Sequence, residues 1–256
     1  MNSPGGTAAP RTWSSRKKIT GVAAVAALLA IAATGAVATA QPWKVGAAGA
    51  ATDAVTAVAV PTSRPAALRA PRDPLSLEEW GYASHLAQTS SAVPTDATDS
   101  QGEPGAELLS VNVPNGDVDG ADRLAQVSLY DYTSDAQYDV LVDLTSGEVV
   151  SDESSDDAQS PTTQTENDEA MDLFLASDLS ATVKQQFEER TGAALTSADQ
   201  VSYTGGSFLA GDSVIGADEC GAHRCVQMQV QAPDGTYLTT TNFVVDLSAR
   251  AIIEIK

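Results

Sequence analysis

The residues best suited to chemistry lie near the C-terminus, where Cys220 and Cys225, the only cysteines, enclose a short segment that contains His223. Two thiolates, this histidine and a carboxylate from Asp218 or Glu219 could together bind a metal ion. Zinc sites of the recognised type use a second ligand pair at a distance, which this sequence lacks. Outside the cytoplasm an even number of cysteines favours a disulfide, and we expect one between Cys220 and Cys225.

Other catalytic patterns are missing from the sequence. Ser-His-Asp catalysis would need His85 or His223, the only histidines, beside a serine and an acid, and no Gly-x-Ser-x-Gly motif occurs. No phosphate-binding loop and no dinucleotide-binding fingerprint occur either. Asp143 and Asp246 share a Val-Asp-Leu setting, where a hydrogen bond to the following turn explains them better than catalysis. We therefore expect no catalytic residue, no metal and no cofactor.

The charge balance restricts the partners. The chain has 34 acidic and 14 basic residues. Its first 43 residues hold four of the bases and no acid, so the rest carries 34 acids against ten bases, a net charge of −24. Such a surface repels nucleic acid and anionic lipid headgroups. It suits either solubility outside the cell or the binding of a cationic partner.

An uncharged segment, residues 19–40, follows Arg16-Lys17-Lys18. As a helix it would span ~33 Å, enough to cross a bilayer, and the basic residues before it predict a cytoplasmic tail over 1–18. It is either a retained transmembrane anchor or a signal peptide cleaved after Ala40, since Ala38-Thr39-Ala40 fits a cleavage site. Both alternatives place the remaining chain outside the cytoplasm, membrane-anchored or secreted. Residues 41–73, rich in Ala and Pro, are predicted to form a stalk.

The first folded unit is predicted over residues 74–151. Ser76 and Glu79 form a capping-box pattern at the start of a helix that ends by Pro94. Alternating apolar residues then predict strands, with a hairpin in the middle. The predicted strands cover 108–113, 125–132, 137–144 and a last one from Val149. This order indicates a helix packed on an antiparallel sheet.

An acidic disordered linker is predicted over 152–167, because it lacks apolar residues, and a second unit over 168–256. Val140–Val150 is echoed by Phe243–Ile253, which indicates one structural unit used twice. Helical spacing begins at Glu169, with a second short helix capped by Ser177 or Ser180 and a stop at Gly192. The predicted strands cover 200–209, 226–231, 236–247 and 251–255, with a turn at Pro233-Asp234-Gly235.

The stretch Asp73-Pro74-Leu75-Ser76-Leu77-Glu78-Glu79 resembles the opening of the small N-terminal domains of copper amine oxidases. Val127-x-Leu-Tyr-Asp131, followed by Val142-Asp-Leu-Thr-Ser-Gly-Glu-Val149, resembles their hairpin and exit strand. In that family two such domains stand in tandem, each a cystatin-like helix against a curved antiparallel sheet. The resemblance, which covers residues 73–256, implies an α+β fold of two tandem cystatin-like units.

Within these 256 residues, no stretch resembles the catalytic part of that family as a whole. Its sheet domain carries three copper-binding histidines and a Thr-x-x-Asn-Tyr segment whose tyrosine becomes the quinone. Thr239-Thr240-Thr241-Asn242-Phe243 is similar to that segment, but Phe243 lacks the phenol that must be oxidised. The resemblance therefore implies the fold and no oxidase activity.

Three functions follow as hypotheses. The first is a non-catalytic extracytoplasmic interaction module for a cell-envelope protein or peptide, attached to the membrane through 19–40 if that segment is retained. The second is an inhibitor or regulator of an exported enzyme, or an accessory subunit or remnant of an amine oxidase-like system. The third is an enzyme with an unmarked acid-based site. For the first, we expect outward-facing sheet residues to form the interaction surface. These are Tyr130 and Tyr132, with Ser128, in one unit, and Gln227 and Gln229, with Gln231, in the other.

Overall fold

The computed structural model describes residues 61–115, 122–211 and 214–256. These residues form an α+β fold with two four-stranded antiparallel sheets, each with its strands in chain order. The first sheet follows one helix. Its elements are α1 (Leu77–Gln88), β1 (Glu107–Asn112), β2 (Leu124–Asp131), β3 (Ala136–Asp143) and β4 (Glu148–Ser155).

The second sheet follows two helices. Its elements are α2 (Gln164–Ala176), α3 (Ala181–Thr191), β5 (Ser202–Ser207), β6 (Cys225–Gln231), β7 (Phe243–Asp246) and β8 (Ala251–Glu254). Short 3₁₀ helices at Asp178–Ser180 and Ala198–Gln200 precede α3 and β5. All the described residues belong to one compact unit of the chain.

Helix α1 begins where the capping box predicts. The Ser76 side chain accepts a hydrogen bond from the Glu79 N–H, and the Glu79 carboxylate accepts one from the Ser76 N–H. Ala83 is completely buried against the first sheet. In the predicted hairpin, Val127 pairs with Val140 and both face this core. Small alanines on the helix and branched residues on the strands let the two layers approach closely.

The second core is built from longer side chains. Met171 and Phe174 of α2, with Phe187 of α3, pack on the buried face of the second sheet. Gly192 ends α3 as predicted, with the positive φ of 73° that glycine adopts without strain. Of the two predicted caps, Ser177 caps the 3₁₀ helix, while Ser180 makes no side-chain cap.

The linker predicted over 152–167 requires correction. Strand β4 continues to Ser155 and α2 begins at Gln164, so only the residues between them lie outside both elements. The prediction rested on the lack of apolar side chains. An edge strand can form without them, because its pairing with β3 uses backbone groups.

Part of the predicted stalk, 41–73, is also corrected. Its described residues, from 61 onwards, pack against the first unit instead of standing free, with Leu68 against the hydrophobic core. The Arg123 guanidinium donates hydrogen bonds to three carbonyl oxygens of this segment, those of Ala70, Pro71 and Asp73. Proline keeps such a segment extended without a helix, which leaves its carbonyl groups available as acceptors.

One further predicted strand is shorter in the structure, and two predicted segments lie outside the described residues. The strand predicted over 236–247 is shorter, because only β7, Phe243–Asp246, forms a continuous ladder. The basic tail and the membrane or signal segment, 1–18 and 19–40, lie outside the described residues. Within the described ranges, no helix combines the length and apolar character that crossing a membrane requires.

Candidate functional site

Each of the two sheets is joined to its helix by a buried ion pair. In the first unit, Arg123 Nε and Nη2 donate to Glu79 Oε1 and Oε2, each over 2.9 Å. Burial by itself raises the pKa of the Glu79 carboxyl. The hydrogen bonds from Arg123 and from the Ser76 and Arg69 N–H groups outweigh it and lower that pKa to about 2.

The second unit repeats this arrangement. Arg224 Nε and Nη2 donate to Glu166 Oε1 and Oε2 over 2.6 and 2.9 Å, and neither side chain is exposed. Glu166 is also the third residue of α2 and forms a capping box with Thr163. The remaining Arg224 donors bind the carbonyl oxygens of Ser160 and Pro161. One buried arginine thus fixes a helix start and the segment before it.

The second pair also connects the two units. The Tyr132 hydroxyl, from the end of the β2–β3 hairpin, donates to Glu166 Oε1 over 2.7 Å. The Arg224 guanidinium lies 5.3 Å from the centre of the Tyr130 ring, within the range of a cation–π contact. The Tyr130 and Tyr132 rings meet edge to face at 4.8 Å.

The structure therefore corrects the predicted role of Tyr130 and Tyr132. Tyr130 is only 1% exposed and Tyr132 is half-buried, so neither belongs to an open docking face. Ser128 is buried as well, with its hydroxyl donating to Asp139. Alternation along the strand placed these residues on the face opposite α1, but the second unit covers that end of the face.

The other predicted surface residues lie on the second sheet. Gln229 is exposed. Gln227 is half-buried and donates to the Thr241 carbonyl oxygen, and Gln231 donates to the Gly235 carbonyl oxygen. Each of these two amides therefore has an internal partner, and Gln229 is the most open of the three.

Further polar contacts join the two units around this ion pair. Arg250 donates to the Ser100 carbonyl oxygen over 2.8 Å and also binds the Glu169 carboxylate. Ser160 donates to Gln137 Oε1 over 2.7 Å. Hydrogen bonds from guanidinium and hydroxyl groups are directional, so they fix the orientation of one sheet relative to the other.

Glu107 is a titratable group among the polar contacts that join the two units. Its carboxylate accepts from the Ser100 hydroxyl over 3.0 Å and from the Thr163 hydroxyl over 3.3 Å. Burial and, second, the nearby charge of Glu166 raise the pKa of Glu107 to about 7. The contacts around this carboxyl are therefore sensitive to pH near neutrality.

The cysteines form the predicted disulfide, Cys220–Cys225. Within its loop, His223 Nδ1 lies 2.8 Å from Asp246 Oδ2, and this hydrogen bond raises the pKa of His223. His85 lies elsewhere, in the last turn of α1. Both Val-Asp-Leu aspartates accept a hydrogen bond from the following turn, as predicted. The donors are the Thr145 N–H for Asp143 and the Ala249 N–H for Asp246.

Sequence reasoning missed both buried arginines. The available signal was a repeated pattern: Pro74-x-Ser76-x-x-Glu79 and Pro161-x-Thr163-x-x-Glu166, each followed later by an arginine just ahead of an inner strand. Among the described residues, no group of three or more His, Cys, Asp or Glu side chains is placed to hold a metal ion.

An open cavity of about 340 Å³ lies beside strand β5. Its walls come from the segment before α2 and from the edge of the second sheet, namely Gln159, Pro161, Thr162, Gly205, Gly206 and Ser207. Gln159 Oε1 is buried without a hydrogen-bond partner. The cavity is shallow and carries no charged side chain.

Comparisons with known proteins find similarity among solved structures and none among families or curated proteins. No protein-family model matches the sequence, and no curated protein matches it significantly. Among solved structures, the chain is similar to a copper-containing benzylamine oxidase from Hansenula polymorpha, with a TM-score of 0.37 and 14% identity. The match covers 73% of this chain and 30% of the oxidase chain, so this chain spans less than a third of that protein. A similarity of this size transfers no residue role, cofactor or activity.

Proposed function

We propose that this protein is a non-catalytic interaction module that works outside the cytoplasm, either membrane-anchored or secreted, and binds a cell-envelope protein or peptide. One observation carries the proposal: the buried carboxylates of Glu79 and Glu166 are engaged in holding the fold together. Glu79 and Glu166 each accept an arginine and cap a helix. A carboxylate held in this way is a poor general base, because its lone pairs already have donors.

The fold supports a role in presenting surfaces. Two sheets are fixed to each other by directional polar contacts, among them those from Tyr132 to Glu166 and from Arg250 to Ser100. A fixed relative orientation reduces the entropy that a binding protein loses when it meets its partner.

The proposal includes a tandem origin for the two sheets, as cystatin-like units of the kind found at the N-terminus of copper amine oxidases. The matched pairs Arg123–Glu79 and Arg224–Glu166 support it. So does a backbone hydrogen bond that recurs in both units: Leu144 N–H donates to the Arg123 carbonyl oxygen, and Leu247 N–H donates to that of Arg224. The same contacts at matching positions are expected of a duplicated unit.

The cellular location follows from the basic residues before segment 19–40. Protease added to intact cells should digest the part of the chain after this segment and leave residues 1–18 protected. Survival of the folded part in cells that have not been permeabilised would contradict the proposed location. A mature N-terminus at Gln41 would indicate the secreted form.

The proposal that the protein has no oxidase activity is tested on the purified full-length chain. The chain is incubated with copper under air, and bound metal, quinone absorbance and amine turnover are measured. We expect no stoichiometric copper and no turnover above buffer. One copper per chain with amine oxidation would overturn the proposal. The same assay on Phe243→Tyr, which supplies the phenol, should also show no quinone absorbance and no amine turnover. The reason is that the sequence has only two histidines, too few for three histidine ligands.

A further inference from the structure

Strand β4 is an unpaired edge among the described residues. It stands last in the sheet order β1-β2-β3-β4, with β3 as its neighbour on one side. Its residues are exposed from Glu148 to Ser154, including the apolar Val149 and Val150, at 37% and 56%. The outer edge of such a strand presents a row of backbone N–H and C=O groups to which another extended chain can pair.

The charge around this edge has one sign. Between Arg123 and Lys184 the sequence contains fourteen acidic residues and no Lys, Arg or His. Five of the acids lie on or directly after β4: Glu148, Asp152, Glu153, Asp156 and Asp157. A second copy of this acidic edge is repelled, whereas a chain that carries Lys or Arg is attracted.

The pairing register between β3 and β4 limits which residues of β4 can accept another strand. The pairing of β4 with β3 shifts at Val150, which bulges between Val149 and Ser151. A bulge interrupts the ladder on an edge and disfavours pairing there. From Ser151 to Ser155 the register with β3 is regular. This stretch contains Asp152 and Glu153, which as successive residues point to opposite faces of the sheet.

We propose that the edge of β4 from Ser151 to Ser155 binds an extended, basic segment of a partner protein by strand addition. Backbone hydrogen bonds align the incoming segment, and two successive Lys or Arg residues place one cation beside Asp152 and the other beside Glu153. This inference rests on the proposed interaction function and specifies the surface and the chemistry of the partner.

The test uses the full-length protein and a capped peptide as long as β4, with a central Lys-Lys flanked by Val and Thr. Three matched probes accompany it: one with Glu-Glu in place of Lys-Lys, one with alternate backbone amides N-methylated, and one with the same residues in the D configuration. We expect saturable binding of the first probe alone, weaker at higher salt. Amide hydrogen exchange of Ser151–Ser155 should slow in its presence, because pairing protects edge amides.

Charge reversal on the protein provides the matched comparison. Asp152→Lys with Glu153→Lys should weaken binding of the Lys-Lys probe by at least about tenfold. Glu188→Lys with Glu189→Lys makes the same change in net charge on the exposed face of α3. The affinity of this variant for the Lys-Lys probe should stay within about twofold of that of the unaltered protein. Both variants alter exposed side chains, so circular dichroism should match the unaltered protein.

Several results would overturn the inference. If the N-methylated probe binds as tightly as the Lys-Lys probe, charge alone is recognised. If the α3 variant loses as much affinity as the β4 variant, the attraction comes from the overall negative charge of the protein. Protection at β1, β5 or β8 would place the site on another edge. If none of the probes binds while a partner protein is still captured through another surface, the β4 site is rejected. The proposed interaction function then still stands.

Discussion

Arg224 and Glu166 form a bidentate ion pair in which neither side chain is exposed to solvent. Through Glu166 the pair caps α2, and through Tyr132 it reaches the hairpin of the other unit. Removing one partner of such a pair leaves a buried charge uncompensated, which is more costly than losing the pair as a whole. The relationship therefore predicts which substitutions the fold tolerates.

Arg224→Met should lower the free energy of unfolding by about 3–5 kcal/mol, because Glu166 then lacks its partner. Equilibrium denaturation in urea measures the change. Arg190→Met is the control: its pair with Asp234 spans 4.0 Å with both side chains about half exposed, so we expect a much smaller loss of stability. Equal losses in the two variants would contradict the structural role of Arg224.

Removal of both charges should recover part of this loss. Arg224→Met combined with Glu166→Gln should be more stable than Arg224→Met alone, since no unpaired charge stays buried. Denaturation of the double variant tests this. A double variant less stable than the single one would show that the cap formed by Glu166 matters more than its charge.

Gly205→Ala should destabilise the fold much more than Gly206→Ala, although the two glycines are neighbours in β5. A Cβ at Gly205 would lie 2.2 Å from Asn167 Oδ1 and 2.6 Å from Val226 Cγ1, so Gly205→Ala forces β5 away from α2 and should cost about 1–3 kcal/mol. At Gly206 nothing lies within 4 Å of that position, and Gly206→Ala should be close to neutral. Thermal unfolding of the two variants compares them; a neutral Gly205→Ala would contradict the packing of α2 on β5.

Stability should fall as the pH rises towards neutrality because of Glu107. Its folded pKa of about 7 lies above its ordinary value of 4.5. The protonated carboxyl therefore stabilises the fold, a contribution that is complete below pH 4.5 and lost as the pH rises through 7. A pKa shift of this size corresponds to roughly 3 kcal/mol.

Glu107→Gln isolates this effect. Between pH 5 and 8 the unaltered protein should lose stability relative to the variant, measured by urea denaturation at each pH. The raised pKa of His223 acts in the same direction but is common to both proteins. Glu79, with its pKa lowered to about 2, contributes stability that is lost only as the pH falls below 4.5. Parallel pH profiles for the two proteins would contradict the assignment.

The Cys220–Cys225 disulfide closes a short loop. Cys220→Ser with Cys225→Ser should lower the free energy of unfolding by about 2 kcal/mol, from the loop entropy released in the unfolded chain. Denaturation with and without a reductant measures it. Reductant should destabilise the unaltered protein and leave the serine variant unchanged; a reductant effect on both would assign the loss to another cause.

The local signals in the sequence determined much of the fold. Ser76 and Glu79 located the start of α1, and alternation at Val226, Met228 and Val230 located β6 with its buried face. Local patterns are informative there because caps and alternation depend on neighbouring residues alone. Strand β4 was missed beyond Val150 because an acidic edge is stabilised by the backbone of β3, which composition does not reveal.

The candidate site was less predictable, since it depends on contacts distant in sequence. Alternation placed Tyr130 correctly on the face away from α1, but covering that face required Arg224 from the other unit. A lone arginine before a strand has no local signature as a buried partner. Only its place in a repeated pattern, shared with Arg123, could have identified it.

The most direct test of a binding role is site-specific photo-crosslinking in intact cells that produce the full-length chain. The crosslinking residue replaces Ser151 on β4, Gln229 on the second sheet or Glu188 on α3, all three exposed. We expect one cell-envelope protein to be crosslinked reproducibly from Ser151 and not from Glu188. The same background proteins from all three positions, or none from any, would contradict it.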